Sequence, residues 1–345
     1  MKSISTLLVS ILFTVSCSTV ASSIPPYPIQ IRSSSSKFSA KSASNIAVYF
    51  GRTDETANTN LSDQCNDTNI DIVILAFTTS ILSGSGGYPN ISFASLCDGY
   101  TSTMLSKGAV GLRQCTNLAT EIKACQKAGK KIFVGVGGNS GNVTFASEDE
   151  ATQSAVMLWD VFGGGNGVGS GLRPFGDDVY VDGFDLDNET GESSYWVNFT
   201  SSLRNQFSNQ KKRDYYLSGA PSCYYPSASM PLSVLTQLDF VWPQFYAAPS
   251  CNIGTSNFTQ SFNDWSARLA GGPKLYIGAV AWEAGSTNGG YQDPDSFATT
   301  IAQMRTTVNS TVFGGVMLWD AAYAHITTNE AGEDFANVTK KALQK

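Results

Sequence analysis

The segment 179–189 reads Val-Tyr-Val-Asp-Gly-Phe-Asp-Leu-Asp-Asn-Glu and places four carboxylates, Asp182, Asp185, Asp187 and Glu189, within eight residues. The apolar residues between them make the stretch a buried strand, and successive side chains on a strand point to opposite faces. Asp185, Asp187 and Glu189 therefore share one face, with Phe184, Leu186 and Asn188 on the other. Three acids in a row, about 6 to 7 Å apart from Cα to Cα, repel one another and are costly to bury as charges. Folding gains nothing from such a row, whereas acid–base chemistry does. Crowded carboxylates share protons, so the last of them stays protonated near neutral pH and serves as a general acid. Asp182 has the opposite parity and, with Gly183, reads as a structural part of the motif.

Other uses of these acids fit less well. Solvated acidic loops do not alternate with Val, Phe and Leu. A calcium loop opening on Asp185 and Asp187 needs Gly at its sixth position and Glu at its twelfth, where this chain has Thr190 and Trp196. His325 is the single histidine, which excludes a multi-histidine zinc site, and it is assigned no role. The glycines at 163–165 lack the lysine of a phosphate loop. No metal and no cofactor is implied.

A strand carrying such acids needs a scaffold that brings its end to an open mouth. Eight short apolar runs recur along the chain, at 46–50, 70–77, 131–136, 179–187, 215–218, 238–246, 275–280 and 313–319. They are apolar on both faces and separated by helix-length connections, the pattern of parallel strands. Helical spacing follows the fourth run at Trp196, Phe199, Leu203 and Phe207, and Asp293-Pro294 reads as a cap opening another helix. The expectation is α/β, a single (β/α)8 TIM barrel over 45–345 with its site at the C-terminal ends of the strands. Residues 79–129 are too long for a simple connection and read as an irregular surface insertion stapled by a disulfide. No second domain is expected.

Composition narrows the setting. The chain has 345 residues, 42% of them hydrophobic but only 14% charged, and a net charge of -6; a nucleic-acid partner would call for a basic face. Lys2, the apolar run 7–15 and Thr19-Val20-Ala21 read as a secretory signal peptide over 1–21, followed by a flexible Ser-rich lead-in over 22–44. That run is too short to span a bilayer, so a secreted monomer without a membrane anchor is expected. Outside the leader remain Cys65, Cys97, Cys115, Cys125, Cys223 and Cys251. In an exported chain these suggest three disulfides, for which sequence alone leaves fifteen connectivities open. Acceptor triplets at Asn60, Asn90, Asn142, Asn198 and Asn257 suit the same compartment, while Asn188 sits inside the acidic motif and is a poor candidate.

Asp182-Gly183-Phe184-Asp185-Leu186-Asp187-Asn188-Glu189 resembles the DGxDxDxE signature of glycoside hydrolase family 18, in particular the hevamine-like (class III, plant and fungal) chitinases. The resemblance covers nearly the whole chain after the leader. It implies that Glu189 protonates the glycosidic oxygen and that the sugar's own acetamide attacks the anomeric carbon. Asp187 would hold the acetamido N–H, and Asp185 would share a proton with Asp187. Gln244-Phe245-Tyr246 resembles the family's QFY, in which Tyr246 bonds the acetamide oxygen, and Trp319 resembles the tryptophan beneath the sugar. Tyr49, Gln244, Gly137 and Gly138 are further expected sugar contacts. The same resemblance implies Cys65–Cys125, Cys97–Cys115 and Cys223–Cys251.

Several positions depart from the family pattern. Gly135 replaces a serine, Ala247 an asparagine, Phe50-Gly51-Arg52 a Trp-Gly-Gln, and Pro243 interrupts the sixth run. These bear on substrate preference more than on reaction type. The expected partner is chitin or a chitooligosaccharide. The alternatives are an endo-β-N-acetylglucosaminidase acting on N-glycans and a catalytically inactive carbohydrate-binding or inhibitor barrel.

Overall fold

The apolar runs pair in parallel with their neighbours. The computed structural model describes residues 38–52, 60–93 and 96–345; the leader expected over 1–21 and the lead-in as far as residue 37 lie outside them. Nine strands form among the described residues, β1 (Asn45–Phe50), β2 (Ile72–Ser80), β3 (Asn90–Ile91), β4 (Lys131–Gly137), β5 (Gly183–Asp187), β6 (Tyr216–Gly219), β7 (Phe240–Val241), β8 (Lys274–Val280) and β9 (Phe313–Trp319). All but β3 are parallel. β1 pairs with β9 on one side, Asn45 opposite Gly315, and with β2 on the other, Ala47 opposite Ile72, which closes the barrel. The two-residue β3 runs antiparallel to β2, outside the ring.

Ten helices surround the barrel among the described residues. They are α1 (Leu61–Asn66), α2 (Ser102–Ser106), α3 (Thr116–Lys127), α4 (Glu148–Phe162), α5 (Trp196–Ser208), α6 (Leu232–Leu235), α7 (Phe258–Arg268), α8 (Pro294–Thr307), α9 (Ala321–Ile326) and α10 (Phe335–Gln344). Asp293 caps α8 by accepting from the amides of Asp295 and Ser296, with proline in the first turn. The expected (β/α)8 barrel is what forms, and the three disulfides pair as the family resemblance implies.

Three details differ from the sequence reading. The segment 79–129 is not wholly irregular, since α3 lies in it and buries Leu118, Ile122 and Cys125 along one narrow stripe. The strand expected over 179–187 begins only at Gly183. The one expected over 238–246 ends at Val241, because Pro243 has no N–H to offer a ladder; beyond it Gln244 makes only isolated bridges to Ser222 and Gly278.

Two cores result. Phe184, Leu186 and their counterparts on other strands pack outward against the helices, while Tyr49, Phe133, Phe240, Trp242, Tyr276 and Met317 fill the barrel interior. Phe38, at the end of the Ser-rich stretch, lies edge-on to Tyr216 at 5.5 Å and to Phe240 at 6.1 Å. Those residues begin β6 and β7, so Phe38 packs at the N-terminal end of the barrel, opposite the end where β5 delivers its acids. No helix among the described residues is long and apolar enough to cross a membrane.

Candidate active site

Strand alternation delivers the row of acids inward. Gly183 comes first on that face, where a Cβ would collide with the carbonyl of Tyr216 and the ring of Phe133; glycine is what allows Phe133 to fill the barrel beneath the acids. Asp185 follows, fully buried. Its two oxygens accept from Tyr49 Oη at 2.6 Å and Ser218 Oγ at 2.8 Å. Burial raises its pKa to about 6, against the lowering effect of those two donors. Ser218 reaches it because β6 pairs with β5 in a register that sets Asp185 opposite Ser218.

Asp187 and Glu189 finish the row at the rim. Gln244 Nε2 donates to Asp187 Oδ1 at 3.0 Å and to Glu189 Oε1 at 3.2 Å, and also lies 3.2 Å from the carbonyl of Ala220. Three oxygens around one atom identify it as the amide nitrogen. Burial pushes Asp187 well above the ordinary carboxylate range, reinforced by the charges of Glu189 and then Asp185. Glu189 opens onto the cleft, yet the adjoining wall strips enough water from its carboxyl to raise its pKa, opposed by hydrogen bonds from Gln244 and Asp187. Both carboxyls thus hold their protons to higher pH than isolated carboxylates do. None of Asp185, Asp187 and Glu189 forms an ion pair among the described residues.

Tyr246 stands beside the pair. Burial, then the charges of Asp187 and Glu189, hold its phenol well above its usual pKa, so it is a neutral donor. Trp319, at the end of β9, stacks on Phe77 at 6.1 Å and meets Tyr49 edge-on at 5.4 Å, leaving part of its ring exposed to the cleft. The cleft has two parts. One cavity of about 430 Å³ is lined by Asp187, Trp319, Phe77 and Arg52, and another of about 420 Å³ by Ser222, Tyr224, Ser227 and Ser229. Glu189, Gln244, Tyr246 and Ala247 line both.

Not every expected contact lies in the cleft. Tyr49 is 2% exposed and its hydroxyl is committed to Asp185, so it orients an acid instead of touching a sugar. Gly137 and Gly138 line neither cavity. A Cβ on Gly137, at φ +107°, would collide with the Asp187 carbonyl, and one on Gly138 with the Phe77 ring; the Gly138 amide donates to the Asp187 carbonyl at 2.8 Å. These glycines fix the end of β5 from behind. Gly135 likewise makes room for Phe77. Asp182, read as structural, accepts from Gln126 Nε2 at 2.9 Å, the Ile132 amide at 3.0 Å and Arg213 Nη2 at 3.2 Å, with Lys131 Nζ at 3.7 Å. Sequence reasoning missed Ser218, Phe77 and Tyr224. Ser218 ends the fifth run and Phe77 the second, and strand ends at the barrel mouth were the available signal.

A closed (β/α)8 barrel with a carboxylate pair of raised pKa, a phenol and an indole at one rim has the parts a glycosidase uses. Residues 45–280 match the family described as glycosyl hydrolases family 18, and the chain belongs to that family. It is 38% identical to endochitinase 3 of Metarhizium robertsii over 295 residues, which span 85% of this chain and 90% of that one. Among solved structures it resembles the ICChI chitinase of Ipomoea carnea, with 27% identity and a TM-score of 0.71 over 86% of this chain and 99% of that one. It also resembles XAIP-II, a xylanase and α-amylase inhibitor protein of Scadoxus multiflorus, with 26% identity and a TM-score of 0.68 over 87% and 98%. The protein is therefore a glycoside hydrolase by family.

Proposed function

We propose that the protein hydrolyses β-1,4 bonds between N-acetylglucosamine units of chitin, cutting within the polymer and retaining anomeric configuration. The observation that carries this reading is the grouping at one rim of Asp187, Gln244 and Glu189 with the neutral phenol of Tyr246 and the ring of Trp319. Glu189 gives its proton to the glycosidic oxygen as the bond from that oxygen to the anomeric carbon breaks. The acetamide carbonyl oxygen of the same sugar forms the new bond to that carbon, producing an oxazolinium ion. Asp187 accepts from the acetamido N–H and offsets the positive charge, while Tyr246 donates to the acetamide oxygen. Asp185 keeps a proton within the row. Water then loses a proton to Glu189 and attacks the anomeric carbon as its bond to the acetamide oxygen breaks, regenerating the acetamide and restoring the original configuration.

Cutting within the polymer is supported by the two cavities that meet at Glu189, since sugars on either side of the broken bond have somewhere to lie. Export to the extracellular space is supported by the leader-like run 7–15 and by the three disulfides, which suit an oxidising compartment. Chitohexaose and a high-mannose N-glycan offered to the purified protein, with early products followed by NMR, test the whole reading. Cleavage of chitohexaose to β-anomers with the N-glycan left intact is expected. Faster cleavage of the N-glycan core would make it an endo-β-N-acetylglucosaminidase. Binding of oligosaccharide without turnover of either substrate would make it a catalytically inactive binding barrel.

A further inference from the structure

The two cavities are not equivalent around the acid. The first holds Asp187 and Trp319, the groups that receive the sugar whose acetamide reacts; the second shares Glu189 and Tyr246 but contains neither of those residues. Because Glu189 protonates the oxygen joining two sugars, a unit on its far side from Asp187 and Trp319 belongs to the leaving group. The second cavity is where that unit must lie.

Within this cavity Tyr224 is the one aromatic residue not shared with the first. It is 48% exposed and makes no hydrogen bond or ring contact of its own among the described residues. Its backbone is nevertheless held on both sides. Cys223 before it is disulfide-bonded to Cys251, and the Cys223 carbonyl accepts from Ser261 Oγ at 2.6 Å and Trp265 Nε1 at 2.9 Å. Tyr225 after it packs edge-on against Trp265 at 5.0 Å. An isolated exposed tyrosine is ordinary on a protein surface. One fixed at each neighbour, facing a cavity rimmed by the hydroxyls of Ser222, Ser227 and Ser229, has the makings of a sugar platform: an apolar ring face beside donors and acceptors for hydroxyl groups.

Resting on the chitinase reading, we infer that Tyr224 is the platform for the leaving-group sugar and sets how tightly the enzyme holds the reducing-end side of its substrate. The residue touches only the part of the substrate that departs, so its loss acts on long substrates and spares those with a minimal leaving group. Chitohexaose and chitobiosyl β-fluoride separate the two, since fluoride is too small to reach Tyr224 and needs little help from it. Tyr224→Ala is expected to raise KM for chitohexaose about 10-fold, the size of one lost ring contact, and to shift the positions of cleavage. Turnover of the fluoride should stay within about twofold, and Tyr224→Phe should restore the chitohexaose KM. An unchanged KM for chitohexaose, or an equal loss on both substrates, would overturn the assignment while leaving the functional reading intact. Failure of the parent protein on both substrates would overturn the functional reading and the assignment together.

Discussion

At the entry to β5, Asp182 is surrounded by donors that include Lys131 and Arg213; at its exit, Asp187 and Glu189 divide the single side-chain amide of Gln244. Both ends carry buried or partly buried acid on one short strand, with opposite consequences. Cations beside a buried carboxylate compensate its charge and tie neighbouring elements together, here α3 through Gln126, β4 through Lys131 and the Ile132 amide, and the approach to β6 through Arg213. Neutral donors satisfy oxygen lone pairs without cancelling charge, so the acids at the exit relieve their repulsion by keeping protons. Stability is made at one end of the strand and proton storage at the other.

Exchanging the exit acids for their amides breaks this contrast most severely. Glu189→Gln leaves the shape and removes the proton donor, and it should lower turnover of chitohexaose by at least about 10³-fold while oligosaccharide binding measured by calorimetry persists. Turnover near the parent level would remove Glu189 from the reaction. Because the Asp187–Glu189 pair binds its proton more tightly than free carboxylates do, the alkaline decline of activity should begin above the ordinary range of a glutamic acid. The rate falls as pH rises, since the proton lost is the one delivered to the leaving oxygen.

Next in size is Tyr246→Phe. It removes one donor and leaves the ring in place, so turnover should drop by about 10- to 1000-fold with a smaller change in KM. An unaffected rate would mean that the phenol does not meet the acetamide.

Asp185 and Asp182 allow the contrast to be measured as stability. Asp185 has a pKa of about 6 when folded against about 3.9 when unfolded. The folded protein therefore holds the proton more tightly between those values, and the associated stability, complete below about pH 4, is lost as pH rises through 6. The loss amounts to about 3 kcal/mol. Urea titrations of the parent and Asp185→Asn should diverge by about that much between pH 4 and 7, the parent weakening relative to the variant; parallel curves would show that Asp185 is not protonated as described. Asp182→Asn should instead destabilise by about 2 kcal/mol, a figure kept modest because Lys131 and Arg213 are partly exposed. A variant of Asp182 as stable as the parent would erase the distinction between the two ends.

How much of this the sequence discloses depends on the range of the interactions concerned. The inward row from Asp185 to Glu189 follows from alternation, a local rule, and the barrel follows from runs apolar on both faces. The contacts that tune the row are long-range. Tyr49 and Asp185 are separated by 136 positions, and no spacing predicts which hydroxyl meets which carboxylate; hence the assignment of Tyr49 to the sugar. Ser218 required the register of β6, and α3 presents so narrow an apolar stripe that its surroundings obscure it. The shortened β7 is a local effect that Pro243 already announced.

The smallest expected effect lies at the exit end, where the chain turns away after Tyr246. Ala247 has φ +61°, a left-handed conformation in which a Cβ crowds the backbone and which asparagine adopts more readily than alanine. Its amide lies 2.9 Å from Ser286 Oγ and 3.3 Å from the Gly289 carbonyl, so the turn is set by its neighbours and not by alanine's preference. The same residue lines both cavities, so a longer side chain has room to extend. Ala247→Asn should therefore stabilise the protein by about 0.5 kcal/mol, visible as a higher urea midpoint with an unchanged slope. If the midpoint falls, the turn does not carry the strain its dihedral implies, and the exit end differs from the Asp182 end in charge alone. If it rises, the rim holds backbone strain as well as uncompensated acid, a second way in which the two ends of β5 are built for different purposes.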